Sequence, residues 1–157
     1  MPKARGVKVV SNNRSAFHDY FILERFEAGI SLSGTEVKSI RAGHINLKDS
    51  YCAISSGEIY AKGIHISPYE KGNIYNRDPL RTRKLLMHKK EILKLWSDVS
   101  QKGLTLVPLS VYFKDSKVKI EIGLCKGKKL YDKREAIARK TEERDADRYE
   151  KSNGKYD

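Results

Sequence analysis

The chain has 157 residues, enough for one folded domain with tails and too few for two ordinary hydrophobic cores joined by a linker. Its 32 Lys and Arg residues against 20 Asp and Glu residues give a formal net charge of +12, which disfavours an acidic or calcium-binding class of protein and favours a polyanionic partner. No run approaches the roughly 20 apolar residues of a membrane span, and the first residues lack a signal peptide's apolar region. We therefore expect a soluble, cytoplasmic protein that does not bind membranes.

The basic excess is spread along the chain. Residues 1–15 carry +4, residues 16–125 carry +5 and residues 126–157 carry +3. We therefore divide the chain into a basic N-terminal arm at 1–15, a folded domain at 16–125 and a basic tail at 126–157. The tail has too few large apolar side chains to offset the conformational entropy of ordering, so it is predicted to be disordered when free and only marginally helical.

In chain order, the first predicted element is a strand that begins at Tyr20, with a bulge or tight bend at residues 27–29. Ser33 and Glu36 have the spacing of a capping box, which predicts a short helix that ends near Gly43. Residues 51–54 and 58–65 then flank a turn at residues 55–57 and predict a β-hairpin.

A long helix is predicted over residues 79–96, because Asp78 and Pro79 form a typical N-terminus and apolar residues follow at helical spacing. Residues 97–102 can add a final turn. A second hairpin is predicted from residues 105–113 and 117–125, where apolar and polar side chains alternate. The apolar face predicted for the long helix consists of Leu85, Leu86, Ile92, Leu93 and Trp96.

These elements predict a mainly β fold with helices. Short strands joined by tight turns close most economically into a small antiparallel barrel, so we predict an OB-like β-barrel with packed α-helices. Cys52 and Cys125 lie in apolar strand-like runs and are predicted to be reduced thiols of the core.

Catalytic and cofactor motifs are not evident in the sequence. The four histidines lack metal-ligand spacing, and the glycine-lysine run at residues 123–129 fails the phosphate-loop pattern, so we expect no metal and no cofactor. We predict a protein that is not an enzyme. A ribonuclease that uses His18 or His88 for acid–base chemistry is the enzymatic alternative.

The first of three regions suited to nucleic acid spans residues 12–20. The Asn13 amide can hydrogen-bond to base edges, Arg14 adds a positive charge, and His18 or Tyr20 can stack on a base. Tyr20 also fits an aromatic residue at the rim of the core, so both interpretations stay open.

The other two regions are basic. Lys38 and Arg41 lie three residues apart and so share one face of the short helix. Arg81, Arg83 and Lys84 cluster at the predicted start of the long helix, where the helix dipole attracts phosphate. Each patch also fits ordinary solvated surface, but three patches on one small domain favour structured RNA, with DNA or a general RNA-binding role as alternatives.

Five segments resemble signatures of the family of the SsrA-binding protein, small protein B of bacterial trans-translation. The resemblance runs from about residue 8 to residue 145 in one order. The segments are 26–29 (Phe-Glu-Ala-Gly), 34–43 (Gly-Thr-Glu-Val-Lys-Ser-Ile-Arg-Ala-Gly), 49–51 (Asp-Ser-Tyr), 81–86 (Arg-Thr-Arg-Lys-Leu-Leu) and 127–134 (Gly-Lys-Lys-Leu-Tyr-Asp-Lys-Arg).

The resemblance implies a non-enzymatic adaptor that binds the tRNA-like domain of transfer-messenger RNA. It also implies support for aminoacylation by alanyl-tRNA synthetase and for delivery by elongation factor Tu, both through the RNA. By the same resemblance, Asn13, Glu27 and Leu86 match RNA-binding positions. The tail is implied to become helical in the decoding centre and mRNA channel of the small ribosomal subunit, through Gly127, Lys128, Lys129, Tyr131, Asp132, Lys133 and Arg134.

Overall fold

The computed structural model describes residues 7–69 and 76–128. Within these ranges lie three helices, α1 (Arg14–Asp19), α2 (Gly34–Arg41) and α3 (Lys89–Lys102). The strands are β1 (Val7–Asn12), β2 (Tyr20–Ile30), β3 (Ile45–Asn46), β4 (Tyr51–Ser55), β5 (Glu58–Lys62), β6 (His65–Ile66), β7 (Arg83–Leu86), β8 (Thr105–Lys114) and β9 (Lys117–Gly127). None of the described helices is long and apolar enough to cross a membrane.

Seven of the strands form one antiparallel sheet in the order β1-β8-β4-β5-β7-β2-β9. β8 and β9 also pair with each other. The hydrogen-bonded pairings therefore close into a ring of six strands: β8, β4, β5, β7, β2 and β9. β1 lies outside this ring on β8, and β3 pairs with β6 in a separate two-stranded sheet. The predicted mainly β fold with packed helices is confirmed.

The main core lies on one face of this sheet. Ile120, Ile122 and Leu124 alternate along β9 into that core, and Ile92 and Leu95 of α3 pack against it. A second, smaller cluster on the other face joins Ala16 of α1 to Val107, Leu109 and Cys125. Cys52 and Cys125 are buried free thiols, as predicted, and burial raises the pKa of Cys125 to about 11.

The two predicted hairpin turns and the Ser33 capping box are confirmed. In the β4–β5 hairpin the turn residues Ser56 and Gly57 have φ of 52° and 76°, and the β8–β9 turn has positive φ at Asp115 and Ser116. The Ser33 capping box is present at the start of α2, with both of its hydrogen bonds.

The irregularity predicted at residues 27–29 is wrong in position. β2 runs unbroken from Tyr20 to Ile30, and its register against β9 shifts between Ile22 and Glu24. The reason is cross-strand pairing: Gly29 pairs opposite Lys119 and also opposite Leu86, so the glycine serves a close approach between strands and not a bend.

The helix predicted over residues 79–96 is also wrong in its first half. Residues 83–86 form β7, in which Arg83 and Leu85 are buried while Lys84 and Leu86 are exposed, the period of a strand. β7 pairs with both β5 and β2, and those ladders outweigh the local helix signal. Asp78 instead accepts a hydrogen bond from the Leu80 backbone N–H in a turn.

The helix therefore begins at Lys89 and ends before Gly103, which has a φ of 64°. Its buried face consists of Ile92 and Leu95, whereas Leu93 and Trp96 are exposed, Trp96 by 52%. The predicted apolar face was wrong because it placed Leu85 and Leu86, which lie in β7, on the same helix as Ile92, Leu93 and Trp96.

A buried ionic cluster joins α2 to β7. Glu36, in the first turn of α2, accepts hydrogen bonds from Arg83 Nε at 2.6 Å and from Arg81 Nε at 3.1 Å. Arg83 is fully buried, and its two terminal nitrogens donate one hydrogen bond each, to the carbonyls of Ile64 at 2.8 Å and Pro79 at 3.1 Å. This Glu36 cluster, defined as Glu36, Arg81 and Arg83, holds three segments together.

Ionisation of Glu36 depends on these donors. Burial by itself raises the pKa of Glu36, but the hydrogen bonds from Arg81, the Ser33 backbone and Arg83 outweigh burial and lower the pKa to about 2. Because the folded-state pKa lies below the ordinary value of 4.5, the cluster stabilises the fold above pH 4.5 and this contribution is lost as the pH falls toward 2.

We expect Glu36→Gln to lower the free energy of unfolding at neutral pH by about 3 kcal/mol, because Arg83 stays buried without its charged partner. The variant should also lack the part of the stability loss that wild type shows between pH 4.5 and pH 2. Urea unfolding across that range measures both effects. The control Glu24→Gln, which breaks the exposed Glu24–Lys94 pair, should change stability by less than about 1 kcal/mol. Equal effects of the two variants would contradict the role of the cluster.

Candidate nucleic-acid interface

A cleft of about 430 Å³ opens on the outer face of the sheet, above the junction of β2, β7 and β9. Its walls include Glu27 and Gly29 from β2, Lys84 and Leu86 from β7, and Lys119 from β9. Their neighbours Ala28, Leu85 and Ile120 point into the core, so strand alternation sends these five residues outward. We call this site the Glu27 cleft.

Gly29 permits the close packing at the floor of the cleft. A Cβ atom at position 29 would lie 3.2 Å from the Leu86 Cβ atom, tighter than ordinary van der Waals contact. The Leu86 side chain therefore lies directly over the β2 backbone, and it remains 57% exposed. The cleft thus combines an apolar floor with charged walls.

Glu27 is one of three carboxylates that line this cleft, together with Glu58 and Glu91. Its carboxylate accepts hydrogen bonds from Tyr112 Oη at 2.5 Å and from Lys114 Nζ at 3.4 Å. The Tyr112 bond lowers the pKa of Glu27 more than burial raises it, and Lys114 lowers it further. Glu27 is therefore an ionised hydrogen-bond acceptor at neutral pH, and its side chain is 40% exposed.

This set of groups suits a nucleic acid with accessible donors. Lys84 and Lys119 supply positive charge for phosphate, and Leu86 offers an apolar surface to a base or ribose. The Glu27 carboxylate repels phosphate but accepts hydrogen bonds from amino groups of bases or from ribose 2′-hydroxyls.

Asn13, a predicted base-reading residue, is committed to the fold. It is 4% exposed and donates its amide hydrogens to the carbonyls of Leu47 at 3.2 Å and Pro108 at 2.8 Å. Its side-chain oxygen caps α1 by accepting from the Ala16 N–H. The expected direct contact of Asn13 with base edges does not fit this burial, and its role here is to fix α1 against β8.

The other candidates of the first region lie at the surface. Arg14 is exposed at the start of α1, and His18 is exposed at its end, with Nδ1 2.8 Å from the Asp19 carboxylate. Tyr20 packs at the edge of the smaller core cluster, which matches the interpretation as a rim aromatic. α1 thus presents Arg14 and His18 at its two ends, away from the walls of the Glu27 cleft.

Lys38 and Arg41 are exposed on α2, as predicted, but they reach different rings. Lys38 Nζ lies 5.3 Å from the centre of the Tyr69 ring, and the Arg41 guanidinium lies 5.2 Å from that of Phe113. These cation–π contacts orient the two side chains while leaving positive charge at the surface.

Arg81 and Arg83 do not form the basic helix start that was predicted. Both belong to the Glu36 cluster, and Arg83 is fully buried, so its direct contact with RNA does not fit this structure. Lys84 points the opposite way, into the Glu27 cleft, where it lies 3.5 Å from Glu58. Of the three basic residues, Lys84 is the one placed to bind phosphate.

Tyr112 and Lys114, which contact Glu27, and Lys119, Glu58 and Glu91, which line the cleft with it, were not predicted as site residues. The alternation predicted for residues 117–125 was a usable signal for the outward position of Lys119. Of the tail residues, Gly127 ends β9, and Lys128 lies with its Nζ 5.0 Å from the Phe21 ring centre. The described residues do not include the other predicted tail residues, Lys129, Tyr131, Asp132, Lys133 and Arg134.

Across residues 7–69 and 76–128 there is no cluster of three or more potential metal ligands.

Sequence comparison places relatives across almost the entire chain. The model of the family described as SmpB protein matches residues 10–152. The SsrA-binding protein of Acetivibrio thermocellus is 63% identical over 146 residues, covering 93% of this chain and 95% of the relative. The SsrA-binding protein of Clostridium botulinum strain Hall is 55% identical over 156 residues, covering 99% of this chain and 100% of the relative.

A solved structure gives an independent comparison. It is described as "tmRNA-SmpB: a journey to the center of the bacterial ribosome", and it matches with a TM-score of 0.67 at 50% sequence identity. The match covers 81% of this chain and 93% of that chain. Since the family model, the near-full-length relatives and the fold agree, the chain belongs to the SmpB family.

Proposed function

We propose that this protein is the RNA-binding adaptor of trans-translation. It binds transfer-messenger RNA through the tRNA-like domain and brings that RNA to stalled ribosomes in the cytoplasm. Support comes from membership of the SmpB family and from the solved relative, whose description names tmRNA, SmpB and the ribosome.

The observation that carries the RNA-binding part is the Glu27 cleft. Glu27 and Leu86 are 59 positions apart in the sequence, yet both line one cleft with Lys84 and Lys119. Such a preformed site, with groups spaced on a rigid sheet, suits recognition of a folded RNA by shape. Aminoacylation by alanyl-tRNA synthetase and delivery by elongation factor Tu are then supported through the bound RNA.

The C-terminal tail has a different task in this proposal. The described chain leaves the sheet at Lys128, whose backbone N–H donates to the Asp19 carbonyl at 2.9 Å beside α1. Arg14, His18 and Lys128 therefore lie near the start of the tail and away from the Glu27 cleft. We assign the tail, with Lys129 to Arg134, to the decoding centre and mRNA channel of the small subunit.

The identity of the RNA is tested by crosslinking the full-length protein to RNA in cells and sequencing what is attached. Transfer-messenger RNA should dominate the crosslinked pool. The purified protein should also slow a tRNA-like RNA in a gel without cleaving it. A crosslinking profile spread evenly over cellular RNAs would contradict the proposal, and cleavage would favour the ribonuclease.

The cleft is tested with the double variant Lys84→Ala and Lys119→Ala. We expect at least about tenfold weaker binding to the tRNA-like domain, and a salt dependence smaller in slope by about 1.4 to 1.8, since each lost phosphate contact removes about 0.7 to 0.9. The control variant, Lys48→Ala with Lys102→Ala, removes the same charge from exposed residues that do not line the cleft. If the control weakens binding equally, net charge and not the cleft explains affinity.

The tail is tested with Lys133→Ala and Arg134→Ala together. Affinity for the free RNA should stay within about threefold of wild type, as expected for residues that make no phosphate contact with that RNA. Peptide tagging on stalled ribosomes should be abolished. Lys151→Ala with Lys155→Ala serves as a control that removes equal charge from the same tail and should leave tagging intact. A collapse of RNA affinity in the first variant would refute the division of tasks.

A further inference from the structure

Tyr112 is a side chain of β8 that reaches Glu27 along the outer face of the sheet, since it pairs opposite the outward-facing Lys119. It is 8% exposed, and its hydroxyl donates to Glu27 Oε2 at 2.5 Å. Tyr112 pairs opposite Lys119 of β9, and Lys119 in turn pairs opposite Gly29 of β2. The Glu27 carboxylate therefore extends across β9 to meet a hydroxyl from the strand beyond it.

The Tyr112–Glu27 hydrogen bond reduces the repulsion between two carboxylates on the outer face of the sheet. Glu27 pairs directly opposite Glu121 of β9, and like charges at such cross-strand positions destabilise a sheet. Arg25 holds Glu121 at 3.3 Å, while Tyr112 and Lys114 hold Glu27. The two carboxylates are thus drawn to separate partners.

The hydrogen bond from Tyr112 also fixes which lone pairs of the Glu27 carboxylate face the cleft. A carboxylate offers about four lone-pair sites, and Tyr112 and Lys114 occupy one on each oxygen. The remaining lone-pair sites of Glu27 are open to a ligand in the cleft, because the side chain is half-exposed and lies beside Lys119 and Leu86. Buried Tyr112 has little freedom to move, so it restricts the rotamers of Glu27 before any ligand arrives.

We infer that Tyr112 is a positioning residue for RNA recognition, which holds the Glu27 carboxylate ready to accept hydrogen bonds from amino or 2′-hydroxyl groups of the RNA. This inference rests on the proposed function, because it assigns a task within the RNA-binding cleft. Tyr112 itself does not line the cleft and is not assigned a contact with the RNA.

The direct test is a double-mutant cycle on the full-length protein with the isolated tRNA-like domain of transfer-messenger RNA as the probe. Tyr112→Phe should weaken binding about tenfold, a loss typical of one hydrogen bond to a charged group. In a Glu27→Ala background the same substitution should change the dissociation constant by less than about twofold, because the carboxylate that the hydroxyl holds is gone. Tyr60→Phe, which removes a hydroxyl from β5, is the matched control and should bind as wild type does.

A second measurement follows Glu27 in the protein without RNA. NMR titration of the Glu27 side-chain carboxyl should show its pKa rising toward the ordinary value in Tyr112→Phe, because the hydroxyl that lowers it is absent. The charged groups around Glu27 remain the same in both proteins: Lys114, Lys119, Glu121, Arg25, Lys84, Glu58, His88 and Glu91. A role of Tyr112 in packing alone, without the hydrogen bond to Glu27, predicts no such shift.

The outcomes separate the two proposals. If wild type does not bind the tRNA-like domain, the proposed function fails, while the NMR titration still tests the Tyr112–Glu27 coupling. If wild type binds and Tyr112→Phe binds equally well, the inference is overturned. It is also overturned if the tenfold loss persists in the Glu27→Ala background, since Tyr112 would then act through another residue.

Discussion

The buried pairing of Glu36 with Arg81 and Arg83 is the constraint on which the geometry of the binding face depends. Charges this deep in a protein are tolerated only when hydrogen bonds satisfy them, and here the guanidinium of Arg83 also donates to backbone carbonyls of two loops. Arg83 can reach Glu36 only if its side chain points inward from β7. Strand alternation then forces Lys84 and Leu86 outward, so an ion pair on the inner side decides which residues face the cleft on the outer side.

The same alternation explains why a glycine opposite Leu86 suits the close packing of the two strands. Once β7 is fixed in register against β2, the Leu86 side chain must lie over the backbone at position 29, where a Cβ atom would meet it at 3.2 Å. An alanine at Gly29 would displace Leu86 and alter the cleft floor without touching any charged group. In this region Gly29 and Leu86 provide the packing, and Glu27 and Lys84 of the same two strands provide the charge. The site needs both pairs.

Sequence reasoning succeeds where the determining interactions are local. The capping box at Ser33, the positive-φ turn at Ser56 and the alternation along β9 each depend on residues within a few positions. It fails for residues 83–86, where apolar side chains fit both helical and strand periods and the choice is made by β5, β2 and a glutamate 47 positions away from Arg83. For the same reason Trp96 was predicted on the buried face but is exposed: a helix that begins at residue 89 packs Ile92 and Leu95 against the core. Burial of Asn13 and Arg83 likewise depends on distant carbonyls that no sequence spacing reveals.

Under the proposed function, the Glu27 carboxylate in a chain with a net charge of +12 is best understood as a source of selectivity. Lysines attract every phosphate backbone alike, so they raise affinity for all RNA and discriminate little. In the proposed RNA-binding role, Glu27 would reverse this locally, because its carboxylate repels an approaching phosphate and accepts hydrogen bonds from a base or ribose that offers a donor. The energetic contrast grows if the carboxylate is held rigid and ionised, because a mobile side chain could turn away from the wrong ligand. In the proposed role, Tyr112 would supply that rigidity from a buried position on the same face of the sheet, and its hydroxyl would then influence which RNA the surface accepts.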